Sequence, residues 1–272
     1  MTLHTALLQG QKLLDDARIS APRLTAEVLL AHAIGCQRTW LFAHSSDELK
    51  ELWWIHYGRY LHQRLKGVPT QYITGHQEFF GREFRVTPDV LIPRPETEHV
   101  IEEALKRSTA AILDIGTGSG AIAVTLALET KARVFASDVS EAALNIAKGN
   151  AAALTAAVHF AVCDLGSAFP DGTFDAVVSN PPYIAETARE GLQPEVRDHE
   201  PQLALFGGAD GLAIYRRLIP EAARLLKPGG RLLLELGYDS LDPVRAMLAG
   251  WERIEVTHDL AGIPRVLSAE KI

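Results

Sequence analysis

Cysteine is nearly absent from this 272-residue chain: Cys36 and Cys163 stand far apart and outside any C-x-x-C pattern, which excludes a disulfide framework and a cysteine-based zinc site. Long apolar runs are missing too. No uninterrupted stretch approaches the roughly 18 residues of a membrane span, and Met1–Gly10 lacks the basic and apolar regions of a secretion signal, so a soluble protein of the reducing cytoplasm is expected. Positive charge is in short supply: 27 Lys and Arg against 34 Asp and Glu give a net -7, and no basic cluster offsets it, which argues against tight, sequence-independent binding to nucleic acid. The 10 histidines form neither H-E-x-x-H nor another close metal spacing, and His199-Glu200 is followed by Pro201, which would damage the helix such a site needs. No metal is expected. G-x-x-x-x-G-K-[ST] is absent, and so is G-x-S-x-G, with Thr117 standing where that register would begin; nucleotide hydrolysis and a hydrolase-type serine are thereby disfavoured.

What remains is an ordinary globular composition, 47% hydrophobic and 22% charged, on a chain long enough for two domains. From Leu3 to about Lys66 apolar residues recur at helical spacing (Leu3, Leu7, Leu8; Leu24, Val28, Leu29; Leu49, Leu52, Trp53), with Pro22 placed to open a helix and Gly35 to close one. Gly67 and Pro69 break the pattern. Phe79-Phe80 and Phe84-x-Val86 flank Gly81-Arg82, which predicts a hairpin. From Ile112 onward strands (112–115, 133–137, 158–162, 174–179, 231–236) alternate with helices (121–129, 141–154), the pattern of a parallel sheet covered on both faces. After Gly250, two strands at 254–257 and 265–268 have no helix between them, so the sheet is expected to end in an antiparallel strand.

Gly116, Thr117, Gly118, Ser119 and Gly120 sit between a buried strand and a helix, where glycines let the backbone turn sharply and approach a ligand. Asp138, at the end of the next strand, stands where a carboxylate can accept hydrogen bonds from both ribose hydroxyls of an adenosine-containing cofactor. The loop reads G-x-G-x-G after Asp114 and not the dinucleotide pattern G-x-G-x-x-G, so it marks a nucleoside site with no pyrophosphate to hold, without saying which nucleoside. Asp164, after the following strand, is read either as an adenine-side residue or as a strand-end cap.

Asn180-Pro181-Pro182-Tyr183 directly follows an apolar strand, at the carboxyl edge where open α/β sheets bind ligands. An amide nitrogen is a poor nucleophile because its lone pair is delocalised, so a site that methylates one must orient and polarise it. The Asn180 side-chain carbonyl can accept one N–H and the Pro181 carbonyl the other, while Pro181 and Pro182 hold φ and offer no competing donor. Tyr183 is expected to give a flat face to a planar substrate.

The tetrapeptide resembles the motif of methyltransferases that act on planar amino or amide nitrogens, and by itself it does not separate adenine N6, guanine N2 and glutamine. Ile92-Pro93-Arg94-Pro95-Glu96-Thr97-Glu98, the helical stretch Glu27–His32, His199-Glu200-Pro201 and Gly207–Leu212 are similar to the release factor glutamine methyltransferase family, PrmC/HemK. That resemblance implies a seven-stranded, Rossmann-like class I methyltransferase domain over 93–272, a small helical substrate-recognition domain over 1–75 and a β-hairpin linker over 76–92. It implies that S-adenosyl-L-methionine, becoming S-adenosyl-L-homocysteine, meets Gly116–Gly120, Asp138, Asp164, Leu165 and Asn180, and that a class 1 peptide chain release factor presents its Gly-Gly-Gln glutamine to Asn180–Tyr183. Leu165 departs from the aromatic often found there. Arg94 and Glu96 are read either as substrate-binding or, with Glu98, as acids and a base at a helix start. A monomer is expected, with no stable nucleic-acid or membrane partner; base methylation or a ribosomal-protein glutamine stand as the alternatives.

Overall fold

The helical spacing near the N-terminus closes into a unit of its own. A computed structural model describes residues 1–272 and divides into Met1–Gly75 with Gln193–His199, and His76–Leu192 with Glu200–Ile272. In the first unit α1 (Leu3–Asp16), α2 (Pro22–Ile34), α3 (Arg38–Ala43), α4 (Glu51–Leu65) and α5 (Thr70–Thr74) pack around Leu3, Ala6, Leu14, Leu29, Leu30 and Tyr57. Pro22 occupies the first turn of α2 and Gly35 closes it at φ 78°, the left-handed value glycine adopts without cost. The expected apolar stripe is only partly buried: Leu8, Leu24 and Leu52 are exposed. Glu27 is buried within α2 and is held by Arg23 at 3.0 Å and Arg38 at 2.5 Å. The Gln193–His199 segment joins this unit through an ion pair between its Glu195 and the buried Arg64.

The second unit begins with the hairpin β1 (His76–Phe79) and β2 (Arg82–Arg85), whose turn residues Phe80 and Gly81 both have positive φ, as a two-residue hairpin turn demands. Phe79 and Phe84 bury against Val100 and Ile101, so the hairpin is part of this unit's core. A single sheet follows, built from β3 (Ala111–Ile115), β4 (Arg133–Asp138), β5 (Val158–Val162), β6 (Phe174–Ser179), β7 (Leu226–Glu235), β8 (Trp251–His258) and β9 (Pro264–Lys271). Its order is β5-β4-β3-β6-β7-β9-β8, parallel from β5 to β7 and antiparallel in the last two pairings, as the helix-free C-terminal pattern requires.

Successive side chains of a strand point to opposite faces, and both faces are covered. Ile112 and Leu233 pack on α6 (Glu98–Leu105) and α7 (Ala121–Glu129), while Leu113, Leu232 and Leu234 pack on Tyr215, Leu218 and Ala222 of the helix Ala213–Leu225. Every residue of β3 is buried, since it lies at the sheet centre. From β3 the chain moves to β4 and β5 on one side and then crosses to β6 and β7 on the other, which leaves a crevice above the carboxyl ends of β3 and β6.

Candidate active site

The glycine loop leaves β3 at Ile115 and is tied to its neighbour: the amides of Gly116 and Thr117 both donate to the Ser137 carbonyl, at 2.9 and 3.0 Å. Gly116 and Gly118 take φ 75° and 56°, and a Cβ on either would meet no atom within 4 Å, so the loop presents bare backbone to an open space. Gly120 has a different task. A Cβ there would come within 3.1 Å of Ala147 on α8 (Glu141–Ala153), so this glycine permits close packing at the start of α7. Beneath the loop, the fully buried Asp114 accepts from the Thr117 hydroxyl at 2.6 Å and the Ala123 amide at 3.2 Å, and burial pushes its carboxyl up to about 7.

Asp138, at the end of β4, uses one lone pair on each oxygen to hold the surrounding backbone: Oδ2 accepts from the Gly118 amide and Oδ1 from the Ser140 amide, both at 2.9 Å. Each oxygen keeps acceptor capacity for a ligand. Asp164 pairs with Arg217 of the helix Ala213–Leu225, and Leu165, at φ 50°, packs partly buried beside it.

Asn180 follows β6 and is placed by two contacts. The Ser179 hydroxyl donates to the Ile115 carbonyl at 2.7 Å, fixing the end of β6 to that of β3, and Asn180 Nδ2 donates to the Thr97 hydroxyl at 3.1 Å. With one N–H of its amino group anchored on Thr97, the Asn180 amide has its carbonyl oxygen to offer. The backbone after it is braced by the Gly207–Gly211 loop: a Cβ on Gly207 would fall 2.5 Å from the Pro182 carbonyl and one on Gly211 2.3 Å from that of Tyr183. The Ile184 carbonyl accepts from the Gly207 amide at 2.9 Å.

These elements enclose one cavity of about 500 Å³, within the ordinary range for small-ligand sites. Gly116, Thr117, Gly118 and Ser119 line it, together with Asp138, Asp164, Leu165, Asn180, Pro181 and Pro182. Arg94 also reaches it, its guanidinium paired with the buried Glu200, which accepts from the Ile92 amide as well. Three expected residues stand outside the lining. Gly120 packs as described; Glu96 is half-exposed and lies 3.6 Å from Arg265; and Tyr183 turns inward, against the expectation of a flat face for substrate. Its ring lies on Gly237, where a Cβ would sit 2.8 Å from Cδ2, and its hydroxyl is 3.4 Å from Oε1 of Glu235. Burial, reinforced by the Glu235 charge, pushes the Tyr183 phenol above its ordinary range. Thr97, Glu200 and Glu235 escaped the reading of the sequence, although Thr97 and Glu200 lie inside the stretches that carry the resemblance.

Residues 5–75 match the family described as PrmC N-terminal domain, and residues 96–194 match the methyltransferase small domain. The release factor glutamine methyltransferase of Koribacter versatilis is 47% identical, with 100% of this chain and 99% of that one aligned. Its counterpart from Moorella thermoacetica is 43% identical over 99% and 98%. Among solved structures, a methyltransferase from Pyrococcus furiosus shares the fold at TM-score 0.54 and 21% identity, over 71% of this chain and 90% of that one. With such identity running the length of both chains, the protein belongs to the release factor glutamine methyltransferase family.

Proposed function

We propose that this protein transfers a methyl group from S-adenosyl-L-methionine to the side-chain amide nitrogen, N5, of the glutamine in the Gly-Gly-Gln motif of class 1 peptide chain release factors, leaving S-adenosyl-L-homocysteine. The observation that carries the reading is the shared cavity: Asn180, whose amino group is anchored through one N–H to Thr97, opens onto the same space as the bare glycine loop and Asp138. The residues fit the cofactor. Asp138 has lone pairs left for two ribose hydroxyls, Gly116 and Gly118 leave room for a close approach, and Asp164 and Leu165 would flank the adenine. Leu165 supplies aliphatic packing in place of a stacked ring.

When bound, the cofactor supplies an electrophilic methyl group carried on a sulfonium. The chain supplies orientation. Asn180 Oδ1 and the Pro181 carbonyl accept the two N–H bonds of the glutamine amide, so its nitrogen is presented in one pose and the positive charge that builds on it meets two fixed dipoles. The methylated nitrogen carries one proton in excess, which leaves to water; the two uncharged acceptors orient the amide, and no general base with a tuned pKa is assigned. The Gly207–Gly211 loop keeps the Pro182 and Tyr183 backbone from yielding as that charge develops.

The helical unit is the recognition element for the protein substrate in this reading. All residues lining the cavity belong to the second unit, whereas Leu8, Leu24, Phe42, Leu52 and Ile55 leave apolar surface exposed on the first. The net charge of -7 disfavours a nucleic-acid base as acceptor. Mass analysis of a purified release factor after incubation with the protein and S-adenosyl-L-methionine tests the proposal: one methyl group on the Gly-Gly-Gln peptide is expected, and label entering RNA or DNA in its place would overturn it.

A further inference from the structure

Tyr183 is held between two stretches of backbone that have no room to yield. On one side, a Cβ on Gly207 would fall 2.5 Å from the Pro182 carbonyl and one on Gly211 2.3 Å from that of Tyr183. On the other, the Tyr183 ring lies over Gly237, where a Cβ would sit 2.8 Å from Cδ2, 3.1 Å from Cγ and 3.4 Å from Cβ. Gly237 is itself fixed. Its carbonyl accepts from the Ser240 hydroxyl at 2.9 Å and the Ser240 amide at 3.1 Å, while the Leu236 amide before it donates to the Arg265 carbonyl at 2.8 Å. One residue earlier still, the Glu235 carbonyl accepts from the buried Tyr215 hydroxyl at 2.6 Å. Gly237 does not take the left-handed φ that calls for glycine, so the position requires the absence of a side chain and not backbone freedom. It supplies a hollow, and the Tyr183 ring fills it.

We propose that Gly237 is a positioning residue for methyl transfer: the hollow over it seats the Tyr183 ring, and the seated ring sets the aim of the Asn180 and Pro181 carbonyls. This rests on the reading of those carbonyls as the acceptors for the glutamine amide. The link between ring and carbonyls is stiff, because Pro181 and Pro182 each fix φ and cannot absorb a displacement of Tyr183 by rotation there. At the far end of the turn Asn180 is anchored through Nδ2 on the Thr97 hydroxyl at 3.1 Å, so a shift at Tyr183 strains a turn that is held at both ends. Packing seats the ring. The Tyr183 hydroxyl stands 3.4 Å from Oε1 of Glu235, beyond the roughly 2.7–2.8 Å of a well-formed O–H···O bond, and contributes less. A Cβ on Gly237 would have to stand at the ordinary carbon–carbon contact of about 3.5–4.0 Å, which asks the ring to move by about 1 Å. Because the Gly237 backbone is tied on both sides, the ring and not the glycine gives way, and a misplacement of about 1 Å at a reacting centre costs up to about 10²-fold in rate.

The full-length protein and its Gly237→Ala, Tyr183→Ala, Tyr183→Phe and doubly substituted Gly237→Ala, Tyr183→Ala variants test this in methyl transfer to a purified class 1 release factor. Gly237→Ala should lower kcat about 10- to 100-fold, with KM for the release factor and calorimetric affinity for S-adenosyl-L-methionine little changed. Tyr183→Ala, which empties the hollow without adding an atom, should lower kcat by a similar factor, and Tyr183→Phe, which keeps the ring, should lose less than either. Once the ring is gone the hollow has nothing to seat, so adding Gly237→Ala to Tyr183→Ala should cost nothing further, a coupling that a double-mutant cycle isolates. A second readout needs no turnover. On the protein alone, the Asn180 side-chain amide proton resonances, identified by their loss in Asn180→Ala, should move in Gly237→Ala and coincide in Tyr183→Ala and the double variant. Wild-type kcat in Gly237→Ala, or losses from the two substitutions that simply multiply, would overturn the seat. So would Tyr183→Ala raising KM for the release factor at unchanged kcat, which would make the ring a face for substrate. Resonances that respond as expected, in a protein whose wild-type form methylates no release factor, would support the seat and sink the proposed function.

Discussion

Asp138→Ala probes the cofactor site and the loop around it at once. The Asp138 carboxylate accepts from two backbone amides, Gly118 and Ser140, each at 2.9 Å, so truncation removes two charge-assisted hydrogen bonds before any ligand is considered. Both amides lie at the rim of the cavity, where water can replace the lost acceptor, which keeps the cost to about 1 to 3 kcal/mol. A domain of this size loses roughly 2 to 4 °C in Tm per kcal/mol. The remaining lone pairs are those assigned to the ribose. Losing two such bonds costs about 2 to 5 kcal/mol of binding, equivalent to roughly a 30- to 5,000-fold rise in Kd. Thermal unfolding without cofactor measures the first contribution and calorimetry with S-adenosyl-L-methionine the second. Asp138→Asn separates them further, because its single remaining oxygen can serve one backbone amide while the new amino group opposes the other. Cofactor affinity unchanged in Asp138→Ala would refute the ribose assignment whatever happened to Tm.

Asn180→Ala should lower kcat by on the order of 10² to 10³, the loss expected for one preorganised polar group, while cofactor affinity measured by calorimetry falls much less; near-normal turnover at saturating substrate would remove Asn180 from the mechanism. Asp114 holds a proton in the folded chain between its unfolded value of 3.8 and about 7, so it makes stability decline as pH rises across that window. Asp114→Asn should flatten the decline of Tm with pH there, leaving the smaller part that Glu235 contributes in the same direction; an unaltered slope would contradict the placement of that proton. A chain beginning near Gln77 should keep cofactor binding and lose about 30- to 100-fold in methylation of a whole release factor, the equivalent of 2 to 3 kcal/mol of contact, with a short Gly-Gly-Gln peptide far less affected. Undiminished methylation of the whole factor would remove the recognition role from the helices.

The residues that alternation and punctuation govern were legible in the sequence. Strand, glycine turn and helix from Ile112 to Glu129 follow from an apolar run, three glycines and a second apolar run, and the unpaired rhythm after Gly250 announces β8 and β9. What escaped depends on partners remote in the chain. A tyrosine after two prolines suggests a platform, and only Gly237, more than fifty residues on, supplies the hollow that turns Tyr183 inward. Thr97 carries no signal of its own, since its meaning comes from Asn180, which lies 83 positions on and donates to its hydroxyl. Leu8, Leu24 and Leu52 fit a helical repeat as well as their buried neighbours do; periodicity marks a helix without marking which of two adjoining stripes turns inward. Gln193–His199 reads as a continuation of the catalytic sequence, and its place with the first unit comes from Glu195 meeting Arg64, a pairing of two common residue types 131 positions apart.

The strand order β5-β4-β3-β6-β7 has an implication for how this family's chemistry could be redirected. Apart from Asn180, which both assignments share, residues assigned to the cofactor end or follow β3, β4 and β5, and those assigned to the methyl acceptor follow β6 or precede α6. The boundary runs along a single strand pairing, β3 with β6. On the proposed assignment, donor and acceptor meet at Asn180 from opposite halves of one sheet, so a graft that reshapes the acceptor half for a different nitrogen should be cut at the β3–β6 pairing and keep Asn180.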